Sequence, residues 1–284
     1  IERMTCMSIG NAIILGLVQG IAEFLPISSS GHLSILQNLF GLSGLESNLF
    51  FDVLLHIGTL VAILFAYWSD IAQMAKEVLA MLRGETSIVV GGKRRPLYYA
   101  RMFLLICVAT LPLALIVPIN DYIDILSGKT GFVGIALILT ACILLVSDKM
   151  EQGNKSAKDS LFKDALLIGL CQCVATLPGI SRSGVTISAG IATGHRREYA
   201  VKFSLLMSIP AVLAATLLEL VKAIKAGIDV SLIPAYLVGM VVAMISGVFS
   251  IRVIRTIAKR GGFGGFAHYC LLAGVLTIVL TLVF

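Results

Sequence analysis

The sequence predicts an all-α integral membrane protein with six transmembrane helices and two re-entrant helical hairpins, arranged as an inverted-topology repeat. Of the 284 residues 58% are hydrophobic and only 13% are charged, whereas about a quarter of the residues of a soluble domain are charged. The mean hydropathy is +0.97. The apolar runs reach about 17 to 20 residues, the length that a helix needs to cross hydrocarbon. Barrel strands would instead alternate over about 10 residues.

The first half of the chain reads as one broken apolar segment followed by three spans. Residues Ile9 to Leu45 are apolar but are interrupted at Pro26 and at the serines that follow it, which is typical of a re-entrant hairpin. The polar segment 69–101 is expected to separate the first two spans, and a short acidic loop with Asp121 and Asp124 the next two. The predicted spans are Phe50–Trp68, Met102–Val117 and Phe132–Val146.

The second half repeats this order after a polar connection at 147–163. Residues Asp164 to Gly194 are again apolar but broken, and the predicted spans are Phe203–Leu220, Leu232–Ile251 and Phe266–Phe284. Because each half contains an odd number of spans, the second half must be inverted relative to the first. We therefore expect one membrane domain, residues 1–284, that consists of two inverted repeats at about 8–147 and 164–284.

The two halves also resemble each other residue by residue around their broken segments. A gap-free shift of 153 positions pairs identical residues at Gly16/Gly169, Leu17/Leu170, Gln19/Gln172, Ala22/Ala175, Ile27/Ile180, Ser28/Ser181, Ser30/Ser183 and Gly31/Gly184. The first motif, Gln19 to His32, carries the acid and the histidine. The second, Gln172 to Thr186, carries Arg182 where the first has Ser29.

The distribution of charge gives the orientation. Connections 69–101, 147–163, 195–202 and 252–260 fall on one side of this topology and hold most of the 22 Lys and Arg residues. The positive-inside rule makes that side cytoplasmic and places both termini outside. The first hairpin then enters from outside and the second from the cytoplasm, so their tips can meet near the midplane. The net charge of +6 is accordingly assigned to lipid headgroups and not to nucleic acid.

The six cysteines carry no metal or redox motif. None forms a C-x-x-C pair and nearly all lie in apolar segments, so they are interpreted as small apolar residues. They are Cys6, Cys107, Cys142, Cys171, Cys173 and Cys270. A cleavable signal peptide is not expected, because the first apolar run contains Gln19 and Glu23 and lacks a small-residue cleavage site.

The two motifs together favour phosphoryl transfer. In the first tip, Ser28, Ser29 and Ser30 are potential nucleophiles, and Glu23 and His32 are potential proton acceptors or a metal ligand. In the second tip, backbone N–H groups of the segment from Gly179 to Gly184 and the guanidinium of Arg182 suit a phosphate. The hydroxyl groups of Ser181, Ser183 and Thr186 are further donors.

Structural roles are open for the same residues. Glu23 could be a hydrogen-bonded structural carboxylate, His32 could cap a helix, and Arg182 could simply neutralise Glu23. Ser28 or Ser30 could cap the helix that begins near Gly31. Asp52 and His56 lie one helical turn apart, so they could join the site or hydrogen-bond between helices, and Gln172 is interpreted as a structural echo of Gln19.

The motifs resemble the two signatures of the bacterial undecaprenyl-diphosphatase (bacitracin-resistance) family. The resemblance rests on Q-G-I-A-E-F-L-P-I-S-S-S-G-H at Gln19 to His32, on P-G-I-S-R-S-G-V-T at Pro178 to Thr186 and on F-D-V-L-L-H-I-G-T at Phe51 to Thr59. It covers essentially the whole chain. It implies hydrolysis of undecaprenyl diphosphate to the monophosphate and inorganic phosphate at the outer face of the bacterial plasma membrane, which recycles the carrier lipid for peptidoglycan synthesis and confers bacitracin resistance.

The resemblance also implies roles for particular residues and a divalent cation, Mg or Ca. The catalytic positions fall on Glu23, Ser29, His32 and Arg182, and Gln19 occupies a position where the family has Glu or Gln. Because glutamine leaves one carboxylate fewer, we expect the metal to be held by Glu23 together with oxygens of the substrate diphosphate. The substrate-binding set comprises Gln19, Ser28, Ser30, Gly179, Ser181, Ser183, Gly184 and Thr186.

Several alternatives remain. Either Ser29 attacks phosphorus, with Glu23 or His32 as proton acceptor, or His32 activates a water molecule. The other large class of membrane lipid phosphatases also has an S-G-H element, but its remaining motifs fail here: Ile88 stands where it needs Lys and Ser188 where it needs His. A polyprenyl-phosphate transporter or flippase would share the inverted repeat. Gly239, Ala243 and Gly247 form a stripe of small residues that permits close helix packing, either within one chain or between the two chains of a homodimer.

Overall fold

A computed structural model of the chain describes residues 7–42, 47–90, 93–151 and 153–283. Helix α1 begins where the hydroxyl of Ser8 accepts a hydrogen bond from the N–H of Asn11 at 3.1 Å, a typical N-terminal cap. The elements of the first half are α1 Ile9–Phe24, α2 Ser29–Leu39, α3 Ser47–Ala66, α4 Trp68–Leu82, β1 Ser87–Val90, β2 Lys93–Pro96, α5 Tyr98–Thr110, α6 Asn120–Ser127 and α7 Thr130–Lys149.

The named elements of the second half are all helices, and an isolated bridge pairs Lys155 with His195. Short 3-10 segments lie next to the helices, two in the first half at Leu111–Leu115 and Val117–Ile119 and one in the second half at Val230–Leu232. Gly227 and Gly261, both with positive φ, follow the last residues of the two longest helices, where a left-handed residue ends a helix at little cost. The helices are α8 Phe162–Val174, α9 Arg182–Ala192, α10 Arg197–Ala226, α11 Ile233–Arg260 and α12 Gly264–Val283.

The six predicted spans are confirmed in length and composition. Six segments of the described chain are long and apolar enough to cross a membrane: Leu49–Ala66, Tyr98–Ile119, Thr130–Lys149, Arg197–Ala226, Val230–Arg260 and Gly264–Val283. The two broken segments form the helix pairs α1–α2 and α8–α9, whose members have at most 16 residues. The molecule is therefore a multi-pass α-helical membrane protein.

Three short elements were not predicted. The polar segment 69–101 contains most of α4 and the hairpin β1–β2, whose strands pair antiparallel from Ser87 opposite Pro96. The carboxylate of Glu77 joins α4 to α5 by accepting hydrogen bonds from the N–H groups of Tyr99 and Ala100. The predicted acidic loop is the short helix α6, although the side chains of Asp121 and Asp124 lie outside the described part.

Contacts between helices show that the first hairpin is re-entrant. Along α1 and α11 the contacts advance in the same direction, because Gly16 packs on Gly239 and Gly20 on Ala243. Helix α3 also runs in the direction of α11, since its residue Gly58 packs on Met240 and Ala62 on Gly247. Helices α1 and α3 therefore share one direction, and α2 returns the chain to the side from which α1 entered.

The second hairpin enters from the opposite side. Helix α9 runs antiparallel to α10, because the hydroxyl of Thr186 lies 2.6 Å from that of Ser204 and Gly190 packs on Ala200. Helix α10 is in turn antiparallel to α3 and α4: Glu219 lies beside His56 and Lys202 beside Asp70. Since each hairpin leads directly into one of these spans, the two hairpins start on opposite faces.

The gap-free shift of 153 residues that aligns the two motifs also aligns the helices that follow them. Helix α2, Ser29–Leu39, maps onto α9, Arg182–Ala192, at both ends. The halves interlock, since α1 packs on α11, α3 on α10 and α7 on α12. The division into two repeats, with the bounds given above, stays a prediction.

The stripe of small residues on α11 is used within the chain. A Cβ atom built on Gly239 would lie 2.6 Å from the ring of Phe51, and one on Gly247 would lie 3.0 Å from that of Phe24. The stripe admits α1 and α3 at close range, so it carries no argument for the predicted homodimer.

The five described cysteines are free thiols and Cys270 is buried. Cys6 lies outside the described residues. The interpretation of the described cysteines as small apolar residues therefore agrees with the fold.

Candidate active site

The tips of the two hairpins meet, as the sequence predicts. A Cβ atom built on Gly31 of α2 would lie 3.0 Å from the Cα atom of Gly179, so the two backbones touch where both residues lack a side chain. The hydroxyl of Ser183 donates a hydrogen bond to the carbonyl oxygen of Leu25 at 3.1 Å. The tips thus form one continuous site from residues far apart in the sequence.

The carboxylate of Glu23 is the centre of this site. One of its oxygens pairs with the guanidinium of Arg182 from the other tip. Its second oxygen accepts a hydrogen bond from the hydroxyl of Ser29 at 2.7 Å and one from the amide of Gln19 at 3.2 Å. Only 4% of the Glu23 side chain is exposed, against 25% for Arg182. The ion pair between Arg182 and Glu23 that the sequence suggested as a structural role is therefore present. Ser29 hydrogen-bonds to the same carboxylate.

The backbone at Ser28 aims Ser29 at Glu23. Ser28 has φ 71°, and within the described ranges no other non-glycine residue has a positive φ. Such a conformation costs of order 1–3 kcal/mol and is tolerated where surrounding contacts fix it. Here the hydroxyl of Ser28 accepts a hydrogen bond from the N–H of Gly31 at 3.3 Å, which caps α2 and makes Ser29 its first residue.

His32 is fixed through both ring nitrogens. Its Nδ1 lies 2.7 Å from the carbonyl oxygen of Ser28, which accepts the Nδ1 proton and leaves Nε2 as an acceptor. The hydroxyl of Tyr269, on α12, donates to Nε2 at 2.8 Å, and the two rings stack with their centroids 5.5 Å apart. Sequence reasoning missed Tyr269, because an aromatic residue near a helix start is ordinary and its partner lies 237 positions away.

The second tip is held by a turn and by a threonine from α7. Residues 177–180 form a turn in which the N–H of Ile180 donates to the carbonyl of Leu177, with Gly179 at φ 91°. A glycine in the third position suits a type II turn. Thr140 donates to the carbonyl of Gly179 at 3.2 Å and accepts from the N–H of Ser181 at 3.0 Å. Sequence reasoning also missed Thr140, although a lone hydroxyl within a span could have indicated such a contact.

The hydroxyl groups predicted to bind substrate in the second tip have internal partners. Ser181 caps α9 by accepting from the N–H of Gly184 at 3.1 Å. The hydroxyl of Thr186 donates a hydrogen bond to the carbonyl oxygen of Arg182 at 2.8 Å and also contacts the hydroxyl of Ser204 on α10. In the first tip, Ser30 is exposed and its hydroxyl lies 3.4 Å from that of Ser28. A role in substrate binding stays a prediction for these side chains.

Two helix N-termini converge on Glu23 and Arg182. No described residue accepts a hydrogen bond from the backbone N–H groups of Ser29 and Ser30 at the start of α2, or from those of Arg182 and Ser183 at the start of α9. Unpaired N–H groups and the positive end of the helix dipole make a helix N-terminus suited to bind anions. A single diphosphate could contact both ends.

Asp52 and His56 lie in a polar cluster between α2, α3 and α10, close enough to the site for His56 to interact electrostatically with Glu23. The amide of Gln37 donates to the carboxylate of Asp52 at 2.8 Å, and His56 Nδ1 lies 2.8 Å from the Asp52 carbonyl oxygen. The carboxylate of Glu219 lies 4.0 Å from the same nitrogen. Hydrogen bonding between helices thus accounts for Asp52, and neither Asp52 nor His56 hydrogen-bonds to Glu23, Ser29 or Arg182 in the described structure.

Few metal ligands are available in the site. Within the described ranges, no three His, Cys, Asp or Glu side chains converge on one point. Two oxygen donors do lie together: the carboxylate of Glu23 and the side-chain oxygen of Gln19, which is buried and has no partner among the described residues. Carboxylate and amide oxygens are the ligands that Mg²⁺ and Ca²⁺ prefer, so this pair fits a cation that takes its remaining ligands from a substrate.

Fold and site together define a polytopic membrane protein with a buried centre of carboxylate, serine, histidine and arginine, a set suited to phosphoryl transfer. The comparisons with known proteins agree. The model of the family described as "Bacitracin resistance protein BacA" matches residues 12–276, and the chain belongs to this family.

Several curated relatives are named undecaprenyl-diphosphatase. The protein of Methanosphaera stadtmanae is 41% identical over 98% of this chain and 99% of its own length. The protein of Carboxydothermus hydrogenoformans is 40% identical over 95% and 96%, and that of Alkaliphilus metalliredigens is 37% identical over 97% and 100%.

Proposed function

We propose that this protein is an undecaprenyl-diphosphatase, which hydrolyses undecaprenyl diphosphate to undecaprenyl phosphate and inorganic phosphate. The observation that carries the proposal is the pairing of both hairpin tips on Glu23, which accepts from Ser29 on one side and binds Arg182 on the other. The names of the full-length relatives support the same reaction. The membrane-embedded position of the site suits a lipid substrate.

Substrate binding uses the charge and the backbone of the tips. The diphosphate lies between the N-termini of α2 and α9, where the N–H groups of Ser29, Ser30, Arg182 and Ser183 face it. Arg182 provides a planar fork of donors that matches phosphate oxygens. The contact between Gly31 and Gly179 keeps side chains out of the approach, so phosphate can reach the backbone.

Ser29 is the nucleophile and Glu23 its proton acceptor. The hydroxyl of Ser29 already donates to Glu23 at 2.7 Å, within the reach required of a general base. The serine oxygen forms a bond to the terminal phosphorus as the bridging P–O bond breaks. Undecaprenyl phosphate leaves, and the serine proton passes to Glu23. Arg182 and the helix N-termini stabilise the negative charge on the transferring phosphoryl group.

Hydrolysis of the phosphoserine completes the reaction. A water molecule attacks phosphorus as the bond from the Ser29 oxygen to phosphorus breaks, and its protons leave with the inorganic phosphate. Glu23 returns to the serine oxygen the proton that it took in the first step. His32 is held one turn along the same helix by Ser28 and Tyr269, which engage both of its ring nitrogens, and in this mechanism it positions the start of α2, which carries Ser29. In the alternative mechanism His32 activates water directly. The hydrogen bonds favour Ser29, because Nε2 of His32 is already engaged by Tyr269.

A divalent cation, Mg or Ca, would be held by Glu23 and Gln19 together with the substrate diphosphate. The unpartnered oxygen of Gln19 beside Glu23 supports this assignment. The cation would neutralise charge on the phosphate oxygens. The role of the chain itself is to place Glu23 and Arg182 next to the phosphate oxygens of the substrate, so that the cation and the guanidinium can both contact them.

The site works at the outer face of the bacterial plasma membrane. The distribution of Lys and Arg supports an orientation in which the first hairpin enters from outside. The monophosphate produced there returns to peptidoglycan synthesis. This recycling makes the protein a determinant of bacitracin resistance.

Phosphate release from undecaprenyl diphosphate by the detergent-purified protein tests the proposal. We expect release that EDTA abolishes and that Ser29→Ala lowers by about 10³-fold or more. Ser34→Ala is the matched control on the same helix, because the hydroxyl of Ser34 instead donates to the carbonyl of Ser127. Release that survives Ser29→Ala would refute the serine mechanism, and a pure transporter would release no phosphate at all.

A further inference from the structure

Helix α4 has two apolar faces, and one of them is largely exposed. The first face, with Ile71, Met74 and Val78, packs into the protein core. The second is a stripe of residues separated by four and three positions, which places them along one line of the helix. Its large members are 68%, 55% and 75% exposed. The stripe consists of Trp68, Ala72, Ala75, Leu79 and Leu82, of which Trp68, Leu79 and Leu82 are the large ones.

Two basic side chains form one edge of this stripe. Lys76 and Arg83 are exposed, and because they lie seven residues apart they follow the same side of the helix. The acidic residues of α4 are engaged elsewhere: Asp70 pairs with a lysine of α10, and Glu77 accepts hydrogen bonds from the backbone of α5. Ion pairs between described residues involve neither Lys76 nor Arg83. The basic edge therefore has no counter-charge on its own helix.

The hairpin β1–β2, which follows α4, continues this pattern. Its register sets Val89 opposite Arg94, and partners in an antiparallel pair share one face of the sheet. Both side chains are exposed, as are those of Arg95 and of Glu85 between the helix and the hairpin. An exposed apolar residue again lies beside a basic one, and the two arginines outnumber the single exposed acid.

Helix α4 lies at the level of the membrane surface. Its first residue follows α3 after a single residue, and its tenth, Glu77, binds the first turn of α5. Nine residues of helix cover about 14 Å, so this part of α4 joins the ends of two spans on one side of the membrane. The pair of Asp70 with Lys202 ties it to the second turn of α10 at the same level. Tryptophan at the start of such a helix is typical of a membrane interface.

We propose that α4 and the hairpin β1–β2 bind the anionic headgroups of phospholipids in the adjacent leaflet. The apolar stripe lies in the outer part of the acyl layer, and Lys76, Arg83 and Arg94 contact headgroup phosphates. A helix with an apolar face and a basic flank binds a membrane surface in this way, by buried apolar area and by attraction to anionic lipid. The interaction is separate from the reaction at the hairpin tips.

The distribution of charge disfavours a second copy of the chain on this stripe. Two copies related by a twofold axis normal to the membrane would pack α4 antiparallel to its equivalent. The basic edges of both helices would then meet, with Lys76 and Arg83 of each copy facing like charges. Anionic headgroups instead supply the counter-charge that the helix lacks.

A single tryptophan can report which lipid surrounds the stripe. Trp68 is the only tryptophan of the chain, so Trp68→Phe with Leu79→Trp leaves one probe, between Lys76 and Arg83. The full-length protein with this probe is reconstituted in phosphatidylcholine bilayers that contain a small fraction of phosphatidylglycerol. Bromine on the acyl chains of one lipid or the other quenches the tryptophan fluorescence. The two quenching curves together give the binding constant of phosphatidylglycerol relative to phosphatidylcholine at the stripe.

We expect phosphatidylglycerol to be favoured about fivefold or more, since one basic residue near an anionic surface contributes about that factor. Added salt should lower the preference. Lys76→Gln with Arg83→Gln, in the same probe protein, should bring the ratio to within about twofold of one. Lys149→Gln with Lys163→Gln is the matched control, because it removes two exposed charges at the end of α7 and the start of α8 and should leave the ratio unchanged.

Three results would overturn the proposal. Equal quenching by both lipids in the protein with all its charges would mean that the stripe contacts lipid without selecting anionic headgroups. Absence of quenching by either lipid would mean that protein, as in a dimer, covers the stripe. An equal loss of preference in the control variant would assign the effect to the net charge of the protein and not to α4.

Discussion

Removal of the arginine from the Glu23–Arg182 pair tests whether the pair acts only in folding or also in catalysis. In Arg182→Ala the carboxylate of Glu23 keeps two neutral donors, Ser29 and Gln19, but loses its counter-charge. Only 4% of the Glu23 side chain is exposed, so the variant leaves a largely buried carboxylate without a counter-charge. Both stability and activity are expected to fall.

The size of the stability loss follows from the burial of the pair. Breaking a buried ion pair by removing one partner typically costs about 3–5 kcal/mol. A quarter of the Arg182 side chain is exposed, which places the expected loss at the lower end, about 3 kcal/mol. Loss of a donor that stabilises the transition state costs a further factor of about 10²–10³ in kcat.

A double variant separates the two effects. Glu23→Gln with Arg182→Met removes both charges, so stability should return to within about 1 kcal/mol of the wild type. Activity should stay lost, because neither the base nor the phosphate-binding fork is present. Thermal unfolding in detergent and phosphate release from undecaprenyl diphosphate measure the two quantities on the same samples.

Arg197→Met is the matched control for this experiment. Arg197 pairs with Asp148 at 3.3 Å, near the end of α7 and the start of α10, away from the tips. Its loss should lower stability and leave kcat/KM unchanged. Recovery of phosphatase activity in the double variant would refute the catalytic reading and leave the pair with a structural role alone.

Three further predictions concern two groups around the site and one in the connection between α9 and α10. Tyr269→Phe removes one hydrogen bond to His32, worth about 0.5–1.5 kcal/mol, so kcat should fall about two- to tenfold with KM unchanged in steady-state assays of phosphate release. Gly31→Ala places a Cβ atom 3.0 Å from Gly179, so the tips must separate and kcat/KM should fall about tenfold while the protein remains folded. Burial lowers the pKa of His195, so the unfolded chain binds its proton more readily. The folded protein should therefore lose stability as pH falls through about 6.5, and His195→Gln should flatten this dependence in thermal unfolding.

Each of these predictions has a clear contrary result. An increase of KM alone in Tyr269→Phe would show that the hydroxyl binds substrate and does not position His32. Full activity in Gly31→Ala would mean that the tips can move apart at Gly31 and Gly179 without any effect on catalysis. An unchanged pH slope in His195→Gln would assign the acid sensitivity to other groups. Gly10→Ala is the control for Gly31→Ala, since a Cβ atom at Gly10 meets only the hydroxyl oxygen of Ser8 at 3.7 Å.

The spans, the hairpins and the charged centre of the site could be predicted because each has a local signal. Long apolar runs identify the spans, and polar residues such as Glu23 and Arg182 are conspicuous within them. The helix α4 has no such signal, because an amphipathic surface helix resembles a polar loop. The hairpin β1–β2 did have one, the apolar run Ile88 to Val90 followed by two glycines, which the basic residues after it obscured. Tyr269 and Thr140 depend on contacts between distant helices, which no spacing in the sequence reveals.

Comparison of the two tips separates the scaffold from the chemistry. The same cap recurs in both, with Gly31 N–H donating to Ser28 at 3.3 Å and Gly184 N–H to Ser181 at 3.1 Å. The hydroxyl pairs behind these caps also recur, at 3.4 Å between Ser28 and Ser30 and at 3.3 Å between Ser181 and Ser183. These shared serines build two similar helix N-termini and need no separate role in the reaction.

The chemistry resides where the halves differ. The shift of 153 residues sets Ser29 against Arg182, so the same first position of a helix carries the proposed nucleophile in one half and the proposed phosphate-binding cation in the other. It also sets Glu23 against Thr176, whose hydroxyl merely donates to the carbonyl of Cys173, and His32 against a valine. A symmetric pair of tips would present either two nucleophiles or two cations to a diphosphate. Only the divergent pair brings base, nucleophile and cation to one phosphorus, which is why exchange of Ser29 and Arg182 between the tips should abolish phosphate release although every residue type is retained.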